Sequence, residues 1–156
     1  MSDTHSPLVS VLVPICNVEK YLEECLESAR TQTLEDIEVI CINDGSTDGS
    51  LGIINSFVEK DLRFKVIDKP NSGYGDSMNK GLDAATGKYI AILESDDFLD
   101  PEALEYMYGE AERQNLEVLK CNFWLYWSEP DPSRSNRHNL YFPLASAELI
   151  EMGPHA

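Results

Sequence analysis

The sequence predicts an α/β fold: a mostly parallel, twisted sheet with helices on both faces. Two observations carry the prediction. Short β-branched runs alternate along the chain with amphipathic stretches of helical period, which is the order that right-handed βαβ units produce. Four of those runs end in loops rich in Asp, Asn, Ser or Gly. A parallel sheet brings all such loops to one edge, where open α/β sheets keep their ligands.

The elements follow in order. Leu8-Val9-Ser10-Val11-Leu12-Val13-Pro14 reads as the first strand, ended by its proline. Val18, Tyr21, Leu22, Cys25, Leu26 and Ala29 recur at helical spacing and carry a helix to Gln32. Residues 37–42 form a second strand, broken by Asn43-Asp44-Gly45-Ser46-Thr47-Asp48. Leu51, Ile54, Phe57 and Val58 mark the next helix, with Asp48 or Ser50 as its N-cap. Residues 64–67 are a third strand, and Asn71-Ser72-Gly73-Tyr74-Gly75 is loop chemistry. A helix over 76–85 stops before Gly87. Residues 89–93 are a buried fourth strand that delivers Glu94-Ser95-Asp96-Asp97 at its end. Pro101 suits a first helical position, and Leu104, Met107, Tyr108 and Ala111 give that helix its apolar face. Residues 118–127 read as a fifth strand.

Beyond Trp127 the character changes. Residues 129–139 are polar and proline-bearing, a surface loop; 140–143 suit a short strand and 146–152 a helix start. The chain of 156 residues holds one domain with a real core. It is divided here into residues 1–127, the ligand-binding α/β domain, and 128–156, an incomplete region. Nothing in that last stretch closes a fold, so a C-terminal truncation is expected.

The 28 acidic against 12 basic residues leave a net charge of −16. Such a surface repels nucleic acid and anionic lipid, and a phosphorylated ligand would need a local cation. Four cysteines without a CxxC pair read as small buried thiols in a reducing cytosol. No signal peptide or apolar run of about 20 residues is present, so no transmembrane segment is expected. His5, His138 and His155 have no ligand spacing. The Gly-x-Ser-x-Gly, Walker and Gly-x-Gly-x-x-Gly patterns are all missing.

The acids at 94–97 can hold a hard divalent ion through one or two carboxylates, with ligand phosphates completing its shell. An acidic loop that merely caps the next helix is the plainer account, and the three companion loops weigh against it. Asp44 can accept a hydrogen bond from a base N–H. Its segment reads equally as an ordinary turn with Gly45 at positive φ. Asn71-Ser72-Gly73 is an ordinary turn sequence too, and Lys69 alone reads as a solvated lysine.

Taken together, residues 9–127 resemble the family 2 glycosyltransferases of the Rossmann-like GT-A fold. The resemblance rests on Val13-Pro14-Ile15-Cys16-Asn17 with Tyr21-Leu22, on Asn43-Asp44-Gly45-Ser46-Thr47-Asp48, and on Asn71-Ser72-Gly73 with Asn79-Lys80-Gly81. Ala85-Thr86-Gly87-Lys88-Tyr89 and Glu94-Ser95-Asp96-Asp97 complete it. It implies inverting transfer of a sugar from a nucleotide-sugar, a UDP-sugar, to a saccharide or lipid-linked acceptor. By the same resemblance Pro14 and Asn17 line the nucleotide pocket and Asp44 reads the base. Lys69, Asn71 and Gly73 lie near nucleotide or sugar. Asp96 and Asp97 meet Mg²⁺ or Mn²⁺ and the ribose or diphosphate.

Two positions depart from the pattern: Glu94 stands where an Asp often begins the metal motif, and Asn43 where many members carry a first aspartate. The family's catalytic base comes from a later segment, and none is named here; Glu129, Asp131, Glu148 and Glu151 read as solvated acids. The alternative is a non-catalytic nucleotide-sugar-binding module without acceptor half or base. A nucleotidyltransferase is disfavoured, since no Gly/Arg/Lys-rich loop follows the first strand. A cytoplasmic protein is expected, with a peripheral place at the inner face of the membrane open to the full-length form.

Overall fold

The computed structural model describes residues 6–121 with their side chains, and the backbone of 123–126 and 137–140. Contacts divide the chain into two units, Met1–Glu117 and Val118–Ala156. In the first unit β1 (Val9–Ile15), β2 (Ile37–Asp44), β3 (Phe64–Lys69) and β4 (Tyr89–Ile92) form a parallel sheet in the order β3-β2-β1-β4. Helices α1 (Glu19–Arg30), α2 (Ser50–Lys60), α3 (Tyr74–Ala84) and α4 (Ala103–Gln114) follow the four strands in turn.

β1 and β2 are buried at every position, as near-continuous apolar runs require when both faces of a parallel sheet are covered. Side chains alternate across the sheet, so the core divides in two. Val9, Val11, Val13, Ile37, Val39 and Cys41 pack with Leu22 and Leu26 of α1, Ile54 of α2 and Leu104 of α4. Leu12, Ile40 and Ile42 face the other way and pack with Met78 of α3. Each such buried Leu or Ile stabilises the fold by about 1.5–3 kcal/mol.

The two faces follow from the winding. β1→β2→β3 proceeds one way with α1 and α2 on one face, and α3 carries the chain back over the other face to β4. The strand order therefore reverses between β1 and β4. Their carboxyl ends flank the crevice where doubly wound sheets bind ligands.

Opposite that edge, a buried carboxylate ties the turn before β4 into the sheet. Glu38 accepts hydrogen bonds from Ser10 Oγ (2.5 Å), Thr86 N (2.7 Å), Thr86 Oγ1 (2.9 Å) and Lys65 Nζ (2.6 Å). Gly87 N donates to Ser10 Oγ at 2.8 Å. A Cβ at residue 87 would stand 2.6 Å from Ser10 N, so only glycine permits this approach. Burial raises the Glu38 pKa, but the bonds from Lys65, Ser10 and Thr86 outweigh it and bring it down to about 2.

Several expectations are corrected. β4 is an edge strand, with Ile90 41% and Ile92 56% exposed; an apolar run does not reveal that its outer face lacks a cover. α3 begins at Tyr74, because Ser77 N bonds back to Gly73 O and closes a turn earlier than residue 76. α4 begins at Ala103 instead of Pro101. Gln32 holds that entrance, donating to Asp100 O and accepting from Leu104 N. The N-cap of α2 is Gly49 and neither Asp48 nor Ser50; Asp48 instead accepts from Ser50 N with one oxygen and from Glu19 N of α1 with the other.

In the second unit the expected fifth strand over 118–127 is shorter. β5 (Phe123–Tyr126) pairs antiparallel with β6 (Arg137–Leu140) in a separate two-stranded sheet. β6 takes residues that read as loop, since a partner strand's hydrogen bonds override weak local preference. The rest of the 129–139 loop, the remainder of the 140–143 strand, the helix start at 146–152, and Glu129, Asp131, Glu148 and Glu151 lie outside the described residues.

Candidate functional site

At the reversal point lies an open cleft of about 200 Å³. Pro14, Ile15 and Cys16 from the end of β1 form one wall. Asp44 from β2 lies within it, Tyr74 and Ser77 of α3 form the facing wall, and Glu94 and Ser95 from beyond β4 close the rim. Tyr74 and Ser77 fall on one face of α3 because residues three apart are neighbours on a helix.

Asp44 is the most constrained group here. It is buried, and its carboxylate accepts from Ser72 N at 2.7 Å, Gly73 N at 2.9 Å and Lys69 Nζ. The Lys69 bond, chiefly, holds the Asp44 pKa below the ordinary carboxylate range. Gly45 follows at φ +65, and a Cβ there would meet Asn71 N at 2.6 Å. Glycine thus lets the 71–73 loop close on Asp44. Asn71 Nδ2 completes the closure by donating to Asp44 O at 3.0 Å.

Asn43 points away from this chemistry. It is buried, donates to Asp68 Oδ1 at 2.7 Å and accepts from Ser46 N at 3.3 Å. An aspartate at 43 would set two carboxylates against each other, and the amide avoids that repulsion.

Asn17 stands at φ 54, in the left-handed region that Asn tolerates. Its Oδ1 accepts from Thr47 N at 2.8 Å, and its own N–H donates to Ser46 Oγ at 3.1 Å. The loops after β1 and β2 are thereby held as one wall.

Among the described residues the acids after β4 crowd one short loop. Burial and the charges of Asp96 and Glu94 push the Asp97 carboxyl above its ordinary value. They act on Cys25 below as well: burial first, then Asp97, Asp96 and Glu94, push its thiol up to about 12. Cys25 Sγ meets Glu94 O at 3.6 Å. Glu94 itself is turned across the cleft, where Tyr74 Oη donates to it at 2.7 Å. Among the described residues no three His, Cys, Asp or Glu side chains are gathered into a metal-ligand cluster. The donors do match the chemistry of a hard cation, which takes one or two carboxylates and leaves its other positions to phosphates and water.

The structure thus brings Pro14, Asp44 and Glu94 to the cleft, with Asn17, Asn71 and Gly73 building its loops. Lys69 is not among the cleft-lining residues. Asp96 and Asp97 stand in the same loop as Glu94; both residues are exposed, although the Asp97 carboxyl is partly desolvated. The cysteines divide: all four are free, Cys25 and Cys41 are buried as expected, whereas Cys16 and Cys121 are exposed. Sequence reasoning missed Tyr74 and Ser77. The available signal was an aromatic residue in an otherwise polar loop on the ligand edge.

The chain matches the model of glycosyl transferase family 2 over residues 10–153. It is 36% identical over 155 residues to the uncharacterized glycosyltransferase EpsJ of Bacillus subtilis, covering 96% of this chain and 44% of that protein. Among solved structures it superposes on S. aureus TarS 1-349 in complex with UDP-GlcNAc with a TM-score of 0.65 and 33% identity, covering 69% of this chain and 32% of that one. The mannosyltransferase PcManGT from Pyrobaculum calidifontis, in complex with GDP-Man and Mn²⁺, gives a TM-score of 0.55 at 26% identity, with 61% of this chain and 29% of that one covered. The chain spans less than half the length of each.

Proposed function

The chain belongs to glycosyl transferase family 2, and from that premise we propose that its first unit is the donor half of an inverting, metal-dependent glycosyltransferase using a UDP-sugar. One observation carries the reading: a preorganised carboxylate, Asp44, lines the same cleft at the sheet's reversal point as Glu94 and Ser95, the first residues of the acidic loop after β4. The UDP-GlcNAc and GDP-Man complexes of the structural neighbours support a nucleotide-sugar as the ligand.

In this reading the base lies against Pro14 with an N–H on Asp44. Asp96 and Asp97 would hold Mg²⁺ or Mn²⁺. The bound metal supplies charge neutralisation for the departing nucleoside diphosphate. Burial of Asp44 strengthens its hydrogen bond to the base, since water competes poorly there. Glu94, held by Tyr74, presents its second oxygen to a ligand hydroxyl.

The acceptor is a saccharide or lipid-linked saccharide, and the base that deprotonates it comes from outside the described residues. The setting is cytoplasmic, where four free thiols stay reduced. Among the described residues no helix is long and apolar enough to cross a membrane.

Thermal unfolding with a panel of UDP-, GDP- and CMP-sugars in Mg²⁺ or Mn²⁺ tests the reading. A ligand at 100 times its Kd adds about 2.7 kcal/mol of stability, so UDP-sugars are expected to raise Tm by several degrees. Asp96→Ala is expected to abolish the metal-dependent part of that rise. A panel in which no UDP-sugar shifts Tm contradicts the proposal.

A further inference from the structure

Lys69 lies beside Asp44 in the sheet, paired in register at the ends of β3 and β2. Its side chain is only 7% exposed. The ammonium donates to Asp44 Oδ1, to Ser72 Oγ at 2.5 Å and lies 3.2 Å from Asp76 Oδ2. An ammonium has three donors, and three acceptors surround it. No proton remains for a ligand, and Lys69 does not line the cleft.

The consequence falls on Asp44. Each carboxylate oxygen offers two lone-pair sites. Among the described residues Oδ1 is saturated by Lys69 Nζ and Ser72 N, while Oδ2 holds only Gly73 N. One acceptor site on Oδ2 is left for whatever enters the cleft. We propose that Lys69 is a positioning residue that sets base selectivity: by filling Asp44 Oδ1 it leaves a single acceptor, matched to a base edge with one N–H donor.

Uracil presents one such N–H. Guanine presents an adjacent pair, N1–H and N2–H, and needs both carboxylate oxygens. Cytosine carries an acceptor at the same place and meets a carboxylate with none to share. The network favours uracil over both. Burial works to lower the Lys69 pKa, but the bonds to Asp44 and Asp76 outweigh it and raise it, so the ammonium stays charged and in place at neutral pH.

The inference rests on the donor-cleft reading above, and the experiment separates the two. UDP, GDP and CDP are titrated into wild type, Lys69→Met and Asp76→Ala in Mn²⁺. Wild type is expected to prefer UDP by roughly tenfold over each competitor, the worth of one good hydrogen bond made or left unmade. Lys69→Met frees one of the two acceptor sites on Oδ1, Ser72 N keeping the other, and is expected to shrink the UDP-to-GDP ratio about fivefold, with GDP gaining or holding affinity as UDP loses it. A role confined to folding would weaken all three nucleotides in proportion and leave the ratio unchanged.

Asp76→Ala removes a half-exposed acceptor of the same ammonium, tolerates truncation better, and is expected to move the ratio in the same direction by about twofold. If Lys69→Met does not fold, this variant decides. An unchanged ratio in the folded variants overturns the inference about Lys69 alone. A wild type that binds no nucleotide overturns the donor-cleft reading and this inference with it.

Discussion

Replacing Glu38 with Gln tests how the sheet holds the turn that leads into β4. The carboxyl falls from an ordinary 4.5 to about 2 in the fold. At about 1.4 kcal/mol per pH unit, that difference is worth about 3 kcal/mol at neutral pH. The side chain is 4% exposed, so solvent screens little of it. A depressed carboxyl gives stability that is complete above the unfolded value, declines as pH falls from 4.5 toward 2, and is gone below that.

Gln keeps one acceptor but sets an NH₂ against the donors of Lys65 or Thr86, so Glu38→Gln is expected to lose about 2–3 kcal/mol at pH 7. Urea unfolding of both proteins at pH 7, 4.5, 3.5 and 2.5 reads the difference directly. It should stay constant down to about pH 4.5, shrink by about 1.4 kcal/mol per pH unit below, and vanish near pH 2. The Lys88 and Tyr89 amides, which bond Pro7 O and Leu8 O, should exchange faster in the variant. Equal stability at pH 7, or a difference that ignores pH, refutes the reasoning.

Three further outcomes follow from the cleft. Gly45→Ala forces a Cβ to 2.6 Å from Asn71 N at a positive φ; it is expected to destabilise by about 1–3 kcal/mol and to lower Tm, and an unchanged Tm contradicts the closure argument. In native protein a thiol reagent should label Cys16 and Cys121 while sparing Cys25 and Cys41, and UDP with Mn²⁺ should slow Cys16 alone, read by peptide mass spectrometry. Equal slowing at Cys121 would place the nucleotide elsewhere. Tyr74→Phe removes only the donor to Glu94 and is expected to weaken UDP-sugar binding by about threefold without lowering Tm; full affinity would show that Glu94 needs no orientation.

Much of the α/β fold was legible because the physics is local. The apolar runs at 8–14 and 37–42 announced strands, and the acids at 94–97 marked a candidate site by their cost. What could not be read depends on neighbours distant in sequence. Lys69 looked like a solvated lysine until register set it against Asp44. Asn43 looked like a departure from a pattern until Asp68 was found opposite it. The exposure of Ile90 and Ile92 is a property of sheet order, and the pairing of Phe123–Tyr126 with Arg137–Leu140 is a property of a strand that resembles a loop. Tyr74 stands inside a turn sequence, Asn71-Ser72-Gly73-Tyr74-Gly75, whose local pattern specifies only a loop.

In the proposed donor site the cleft between the ends of β1 and β4 binds a uridine diphosphate through Asp44 and a metal held at Asp96 and Asp97. Calorimetric titration of UDP with Mn²⁺, and again with EDTA, measures it. One saturable site per chain is predicted, roughly tenfold weaker when the metal is removed. Identical affinities in the two titrations, or no heat of binding in either, contradict the account.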